Sequence, residues 1–151
     1  MSEAGPVVTD SGPLIALATV RLMDLVGKLY RWVRVPGAVF QEVAHFGRTR
    51  PGAAELATAP WAERVALDAP PDLLLAQELG PGEAEAISLA ARRGARLLLL
   101  DDRRARRIAE VAYGLRVKGA AGVLVSSKQG GLIASVRPLL EVIRAEGYFL
   151  A

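Results

Sequence analysis

The sequence predicts a single α/β domain over residues 1–151, a three-layer α/β/α sandwich around a mainly parallel sheet. Three observations predict it. A chain of 151 residues and 16.0 kDa has the size of one domain and is short for two. Short apolar runs alternate with stretches of helical spacing, the pattern of strands joined by crossover helices. The run Arg96 to Leu100 contains four consecutive leucines and no polar face, as expected of a strand covered on both sides.

The elements follow in order. Val7-Val8-Thr9 reads as a buried strand ending at Asp10. Ser11-Gly12-Pro13 opens a helix, because proline suits a first helical turn and Ser or Asp can cap it. Leu14, Ile15, Leu17 and Ala18 form its apolar face, and Leu22, Leu25, Val26 and Leu29 mark a second helix. Residues 32–35 read as a strand, and Pro36 starts a helix to about Phe46. A helix over 51–59, an edge strand over 64–67 and a helix over 71–79 come next. Gly80-Pro81-Gly82 breaks the chain before a helix that Gly94 stops. The leucine strand ends at Asp101-Asp102, and the following helix is stopped by Gly114. A strand over 115–118, helices over 121–129 and 135–146, and a short strand Tyr148-Phe149-Leu150 complete the chain.

Composition narrows the chemistry. There is no cysteine, which excludes a disulfide scaffold, a thiolate zinc site and a cysteine nucleophile. The single histidine, His45, leaves a His-rich metal site or a Ser-His-Asp triad hard to build, and its place near a helix end suits an ordinary residue. A net charge of +3 and a pI near 9.7 permit a polyanionic partner without requiring one. An aromatic content of 5% argues against multi-ring stacking platforms for single strands, and Trp32 and Trp61 read as packing residues. The start MSEAGPVVTD lacks a basic segment followed by an apolar one, and no apolar run approaches the ~20 residues of a spanning helix. A cytoplasmic protein without membrane contact is expected.

The acids are the informative residues. Ligands of open parallel sheets bind beyond the carboxyl ends of the strands, and both clear apolar strands run into aspartate, at Asp10 and at Asp101-Asp102. A single such aspartate reads most simply as a helix cap; two strand ends, one doubled, point to a site. Glu42 shares a helix face with Ala38, Val39 and Phe46, so it is either a stripe-edge residue reaching water or a buried acid with a partner. Glu83 shares a face with Ala86, Ile87 and Ala90, which places it toward the core, whereas Glu85 lines up with a mixed face and points more toward solvent. Convergence of Asp10, Glu42, Glu83 and one of Asp101 or Asp102 would repel without a cation. All-oxygen ligation suits Mg²⁺ or Mn²⁺. Arg103, Arg104, Arg106 and Arg107 follow directly. They read either as a solvated helix face or as phosphate contacts, with Arg103 and Arg107 on one face and Arg106 opposite, available to an acid.

These residues resemble the PIN-domain family, which includes VapC-type toxin ribonucleases, and most closely its small stand-alone prokaryotic members. The resemblance spans nearly the whole chain. It runs through Val7 to Ile15, Val35-Pro36 with Glu42-Val43, Gly82 to Ile87, Asp101-Asp102 with Ala105-Arg106, Gly119 to Leu124, Gly131-Leu132-Ile133 and Gly147-Tyr148. It implies a metal-dependent endoribonuclease in which Asp10, Glu42, Glu83 and Asp102 are catalytic, with Asp101 as a further metal ligand. It also implies RNA contacts by Arg103, Arg104, Arg107 and Lys118, an antitoxin partner, and a homodimer. Two departures are Leu100, where the family has threonine, and Ala120, where this branch does. The loss of both hydroxyls supports the competing reading, a binding module with weak or no catalysis. A dinucleotide site is disfavoured because the first strand-helix turn, Asp10-Ser11-Gly12-Pro13, carries an acid where a pyrophosphate would sit. The apolar residues of the first two helices, with Leu73 to Leu75, also exceed what one small core is expected to cover, which points to an apolar two-fold interface.

Overall fold

In the computed structural model, residues 5–46 and 52–148 are described. Five strands, β1 (Val7–Thr9), β2 (Val33–Pro36), β3 (Ala62–Val65), β4 (Leu97–Leu99) and β5 (Val117–Lys118), form one sheet in the order β3-β2-β1-β4-β5. Every pairing is parallel. The chain builds outward from β1 to β3, then returns to place β4 on the other side of β1. Val7 lies beside Leu97, Val8 beside Leu98 and Thr9 beside Leu99, so both strands end level.

Alternation along the strands makes two cores. Val7, Val33, Val35 and Leu99 face one layer, built from α1 (Ser11–Thr19), α2 (Leu25–Tyr30), α3 (Gly37–Phe46), α4 (Ala53–Ala57), α8 (Ala120–Gln129) and α9 (Arg137–Ala145). Val8, Leu98 and Leu100 face α5 (Leu73–Glu78), α6 (Pro81–Arg92) and α7 (Arg103–Tyr113). The three-layer α/β/α sandwich expected from the sequence is therefore present. Leu98, Leu99 and Leu100 are fully buried, as the unbroken apolar run requires.

Several expectations shift. The second helix begins at Leu25, because Arg21 takes a left-handed φ of 60° and Leu22 N–H donates back to Leu17 O, closing α1. The edge strand lies at Ala62–Val65, in register with β2 through Arg34 and Glu63. The expected final strand is not seen at Tyr148, which follows a turn at Gly147 (φ 91°) and lies outside the sheet; Phe149 and Leu150 fall outside the described residues. Trp32 is 70% exposed, not a packing residue, while Trp61 is buried. The anticipated apolar excess is mostly covered: Leu14, Ile15, Leu17, Leu25, Val26 and Leu75 are buried, leaving Leu73 and Leu74 exposed. Helices on both sheet faces provide more cover than one small core would. None of the described helices is long and apolar enough to cross a membrane.

Candidate active site

The return of the chain between β3 and β4 makes β1 and β4 neighbours whose crossovers leave in opposite directions. At such a switch point a crevice opens beyond the strand ends. Here it is a cavity of about 650 Å³. Asp10 enters it from the end of β1, Asp101 and Asp102 from the end of β4, Glu42 from α3 and Glu83 from α6. Arg103 and Arg104, in the first turn of α7, are also on its wall.

Asp10 is 4% exposed, and its Oδ1 has no hydrogen-bond partner. It precedes α1 but makes no side-chain cap bond, so the helix-cap reading does not account for it. Burial pushes its pKa up to about 7. Backbone N–H groups at Ser11 and Gly12 oppose the rise, and the charges of Glu83 and Glu42 add to it. Glu83 is half-buried and its pKa is raised, first by burial, then by Asp102 and Glu42, against the N–H of Gly80.

Glu42 is a half-buried acid with partners. Ser11 Oγ donates to its Oε1 at 2.6 Å, and Gly82 N–H donates to its Oε2 at 3.1 Å. One carboxylate thus links the first turns of α1 and α6. A Cβ on Gly82 would lie 2.2 Å from Glu42 Oε1, so only glycine allows this approach. Gly82 and Ser11 were not legible in this role; the available signal was a glycine directly after Pro81, at the second position of a helix.

The doubled aspartate divides its work. Asp102 is exposed and caps α7 through Oδ1, accepting from Ala105 N–H at 2.9 Å. Asp101 is 6% exposed; its Oδ1 accepts from Ala120 N–H at 2.9 Å. Burial raises its pKa, with that N–H and Arg106 opposing. Gly119 gives it room, since a Cβ there would stand 2.3 Å from Asp101 Oδ1.

The cavity does not gather every residue singled out. Lys118 lies elsewhere: its Nζ donates to Ser126 Oγ at 2.8 Å and stands 5.9 Å from the Tyr30 ring centre. Arg107 is exposed and not on the cavity wall. Glu85 is half-buried, not turned to solvent, because it accepts the N–H of Ala38 at the start of α3. Leu100 and Ala120 are fully buried core residues, and neither reaches the cavity. Sequence reasoning missed Tyr148, which lines the cavity from beyond α9.

A hard divalent cation fits this site in an open form. The donors are all oxygens, and the orphaned Asp10 Oδ1 is a buried acceptor awaiting a positive partner. Among the described residues no three acid or histidine groups already form a cage, since Glu42, Asp101 and Asp102 are engaged with the scaffold. Mg²⁺ characteristically uses one or two carboxylates and retains several waters, which suits Asp10 with Glu83.

A family model, DUF3368, described as a PIN domain, matches residues 6–151. No curated protein matches the sequence. The match runs from β1 past α9, and its reach includes every acid on the cavity wall. Together with the all-parallel five-stranded sheet, it establishes that this chain belongs to the PIN-domain family.

Proposed function

We propose that this protein is a metal-dependent ribonuclease that hydrolyses RNA phosphodiester bonds in the acid-lined cavity. The observation that supports this most strongly is the buried Asp10 carboxylate, its Oδ1 unpartnered, beside Glu83 at the sheet's switch point. Membership in the PIN family supports nuclease chemistry and a nucleic-acid substrate. Asp10 and Glu83 would hold Mg²⁺ or Mn²⁺, with Glu42, Asp101 and Asp102 shaping the field around it. A bound divalent cation supplies positive charge at a phosphate and eases ionisation of a water.

The chain's own residues do the remainder. Arg103 and Arg104 place positive charge at the rim, where a phosphate enters. As water adds to phosphorus and the P–O ester bond breaks, the water's proton passes to a carboxylate of the cavity that does not hold the cation, and the leaving oxygen takes a proton from solvent. Glu42, tied to Ser11 beside Asp10 and to Gly82 beside Glu83, holds the starts of α1 and α6 at a set spacing. The resemblance further supports a cytoplasmic toxin with an antitoxin partner, which co-purification with the product of a neighbouring reading frame tests.

A second reading, an RNA-binding module without catalysis, has one observation in its favour: Glu42, Asp101 and Asp102 spend carboxylate oxygens on hydrogen bonds to the scaffold. One experiment separates the two. Calorimetric titration with Mn²⁺, alongside cleavage of single-stranded RNA in Mg²⁺, is expected to show ion binding and cleavage in wild type and neither in Asp10→Asn. RNA binding with no cleavage at any ion concentration would leave the binding module; unchanged cleavage by Asp10→Asn would remove Asp10 from the mechanism.

A further inference from the structure

The cavity has a wall that the acid chemistry does not use. Tyr148 stands on it, half-buried, carried there by the left-handed turn at Gly147 after α9. Its backbone N–H donates to Ile143 O at 3.3 Å, which ties the turn to the end of α9. The ring packs against the apolar cluster that contains Ile15, and Ile15 is itself on the cavity wall. The cavity therefore presents carboxylates, two arginines and one aromatic surface with an aliphatic neighbour. Metal binding and phosphate contact explain the first two; neither calls for the third. Its volume of about 650 Å³ lies within the range of pockets that enclose a small ligand, so it exceeds what an ion and one phosphate need.

Resting on the ribonuclease reading, we propose that Tyr148 is a specificity-determining residue that stacks on an unpaired nucleobase next to the phosphate at Asp10 and Glu83. A ring backed by an apolar cluster loses little freedom on stacking, and every base offers a π-face to it. One ring serves one base, which is consistent with a chain too poor in aromatics for a multi-ring platform. The substrate this wall selects is single-stranded RNA, because in a duplex the base is already stacked and paired.

The test uses the full chain carrying Asp10→Asn with EDTA present, so that binding is read without cleavage or metal. Single-stranded RNA with one 2-aminopurine is titrated against this protein and against its Tyr148→Phe, Tyr148→Leu and Tyr148→Ala forms. Leucine keeps apolar packing and removes the π-face; phenylalanine keeps the face and removes the hydroxyl. Tyr148→Phe is expected to bind within about 2-fold of the parent and to quench the probe, while the Leu and Ala forms bind roughly 5- to 100-fold more weakly without quenching. In the Asp10-containing enzyme, the same loss is expected in KM with kcat little changed. If the parent binds RNA and Tyr148→Leu binds and quenches equally, the stacking inference is overturned alone. Loss on Tyr148→Phe as large as on Tyr148→Leu would overturn it too, assigning the effect to the hydroxyl. If the parent binds no RNA while the Asp10-containing enzyme cleaves it with the same KM in its Tyr148→Leu form, the stacking inference is overturned and the ribonuclease reading stands; if the Asp10-containing enzyme cleaves no RNA in Mg²⁺ or Mn²⁺, the ribonuclease reading falls and this inference with it.

Discussion

Asp10 carries a cost that can be measured without any substrate. In the unfolded chain its carboxyl titrates near the usual 3.8; folded, it titrates at about 7. Below about pH 4 both states hold the proton and Asp10 is neutral to stability. Between these values only the folded chain is protonated there, and above about pH 7 the folded chain bears the full cost of the buried charge, on the order of 4 kcal/mol. Glu83 and Asp101, raised in the same direction, add with the same sign. Ion-free protein is therefore expected to lose stability as pH rises from 5 to 8, and Asp10→Asn to unfold at higher urea than wild type at pH 8. Urea titrations in EDTA at both pH values check this; parallel losses in the two proteins would show that Asp10 is not the cause. The strand-end position of Asp10 was legible because an apolar run followed by an acid is a local pattern. The lack of any partner for its Oδ1 was not, since that depends on what α3 and α6 bring to the same place.

Elements were readable where periodicity alone decides them, and misread where a neighbour decides. The leucine strand, α6 and α7 fall near their expected places because burial on one or both faces dictates their spacing. Glu85 looked solvent-facing on its own helix, but the start of α3 lies against it and donates a backbone N–H. Lys118 looked available beside the acids, yet its stem runs across Gly122 toward Ser126. Tyr148 was assigned to a strand because three apolar residues in a row carry no information about a preceding turn. The junction of α1, α3 and α6 makes a prediction at this scale. Gly82→Ala gains some helix propensity, less than at an interior position because Gly82 is the second residue of α6, but forces its Cβ into the Glu42 carboxylate. It is expected to lower cleavage at least 10-fold while shifting the melting temperature by only a few degrees, as read by single-turnover kinetics and calorimetry. Full activity would mean that Glu42 need not sit between Ser11 and Gly82.

At the scale of the whole molecule, the two cores leave some apolar side chains uncovered. Leu73 (72% exposed), Leu74 and Val111 (82% exposed) lie on α5 and α7. Tyr113 Oη donates to Asp72 Oδ2 at 2.8 Å, and Arg104 pairs with Glu78, so the two helices are joined at both ends. We propose this face as the centre of a homodimer, in place of the first two helices, whose apolar residues are mostly spent on the core. Sedimentation at micromolar concentration is expected to give about twice 16.0 kDa for wild type and 16.0 kDa for Val111→Glu. Equal masses would place any interface elsewhere.

The strand order also has a bearing on synthesis. Asp10, Glu42 and Glu83 leave the ribosome before β4, but the strand that closes their crevice is β4, paired to β1 across nearly ninety intervening residues (Val7 with Leu97). The last acids, Asp101 and Asp102, emerge only at its end. A nascent chain halted anywhere before that point has at most three of the acids and no crevice to hold them. The crevice is thereby withheld from every chain halted before β4, with timing imposed by topology alone.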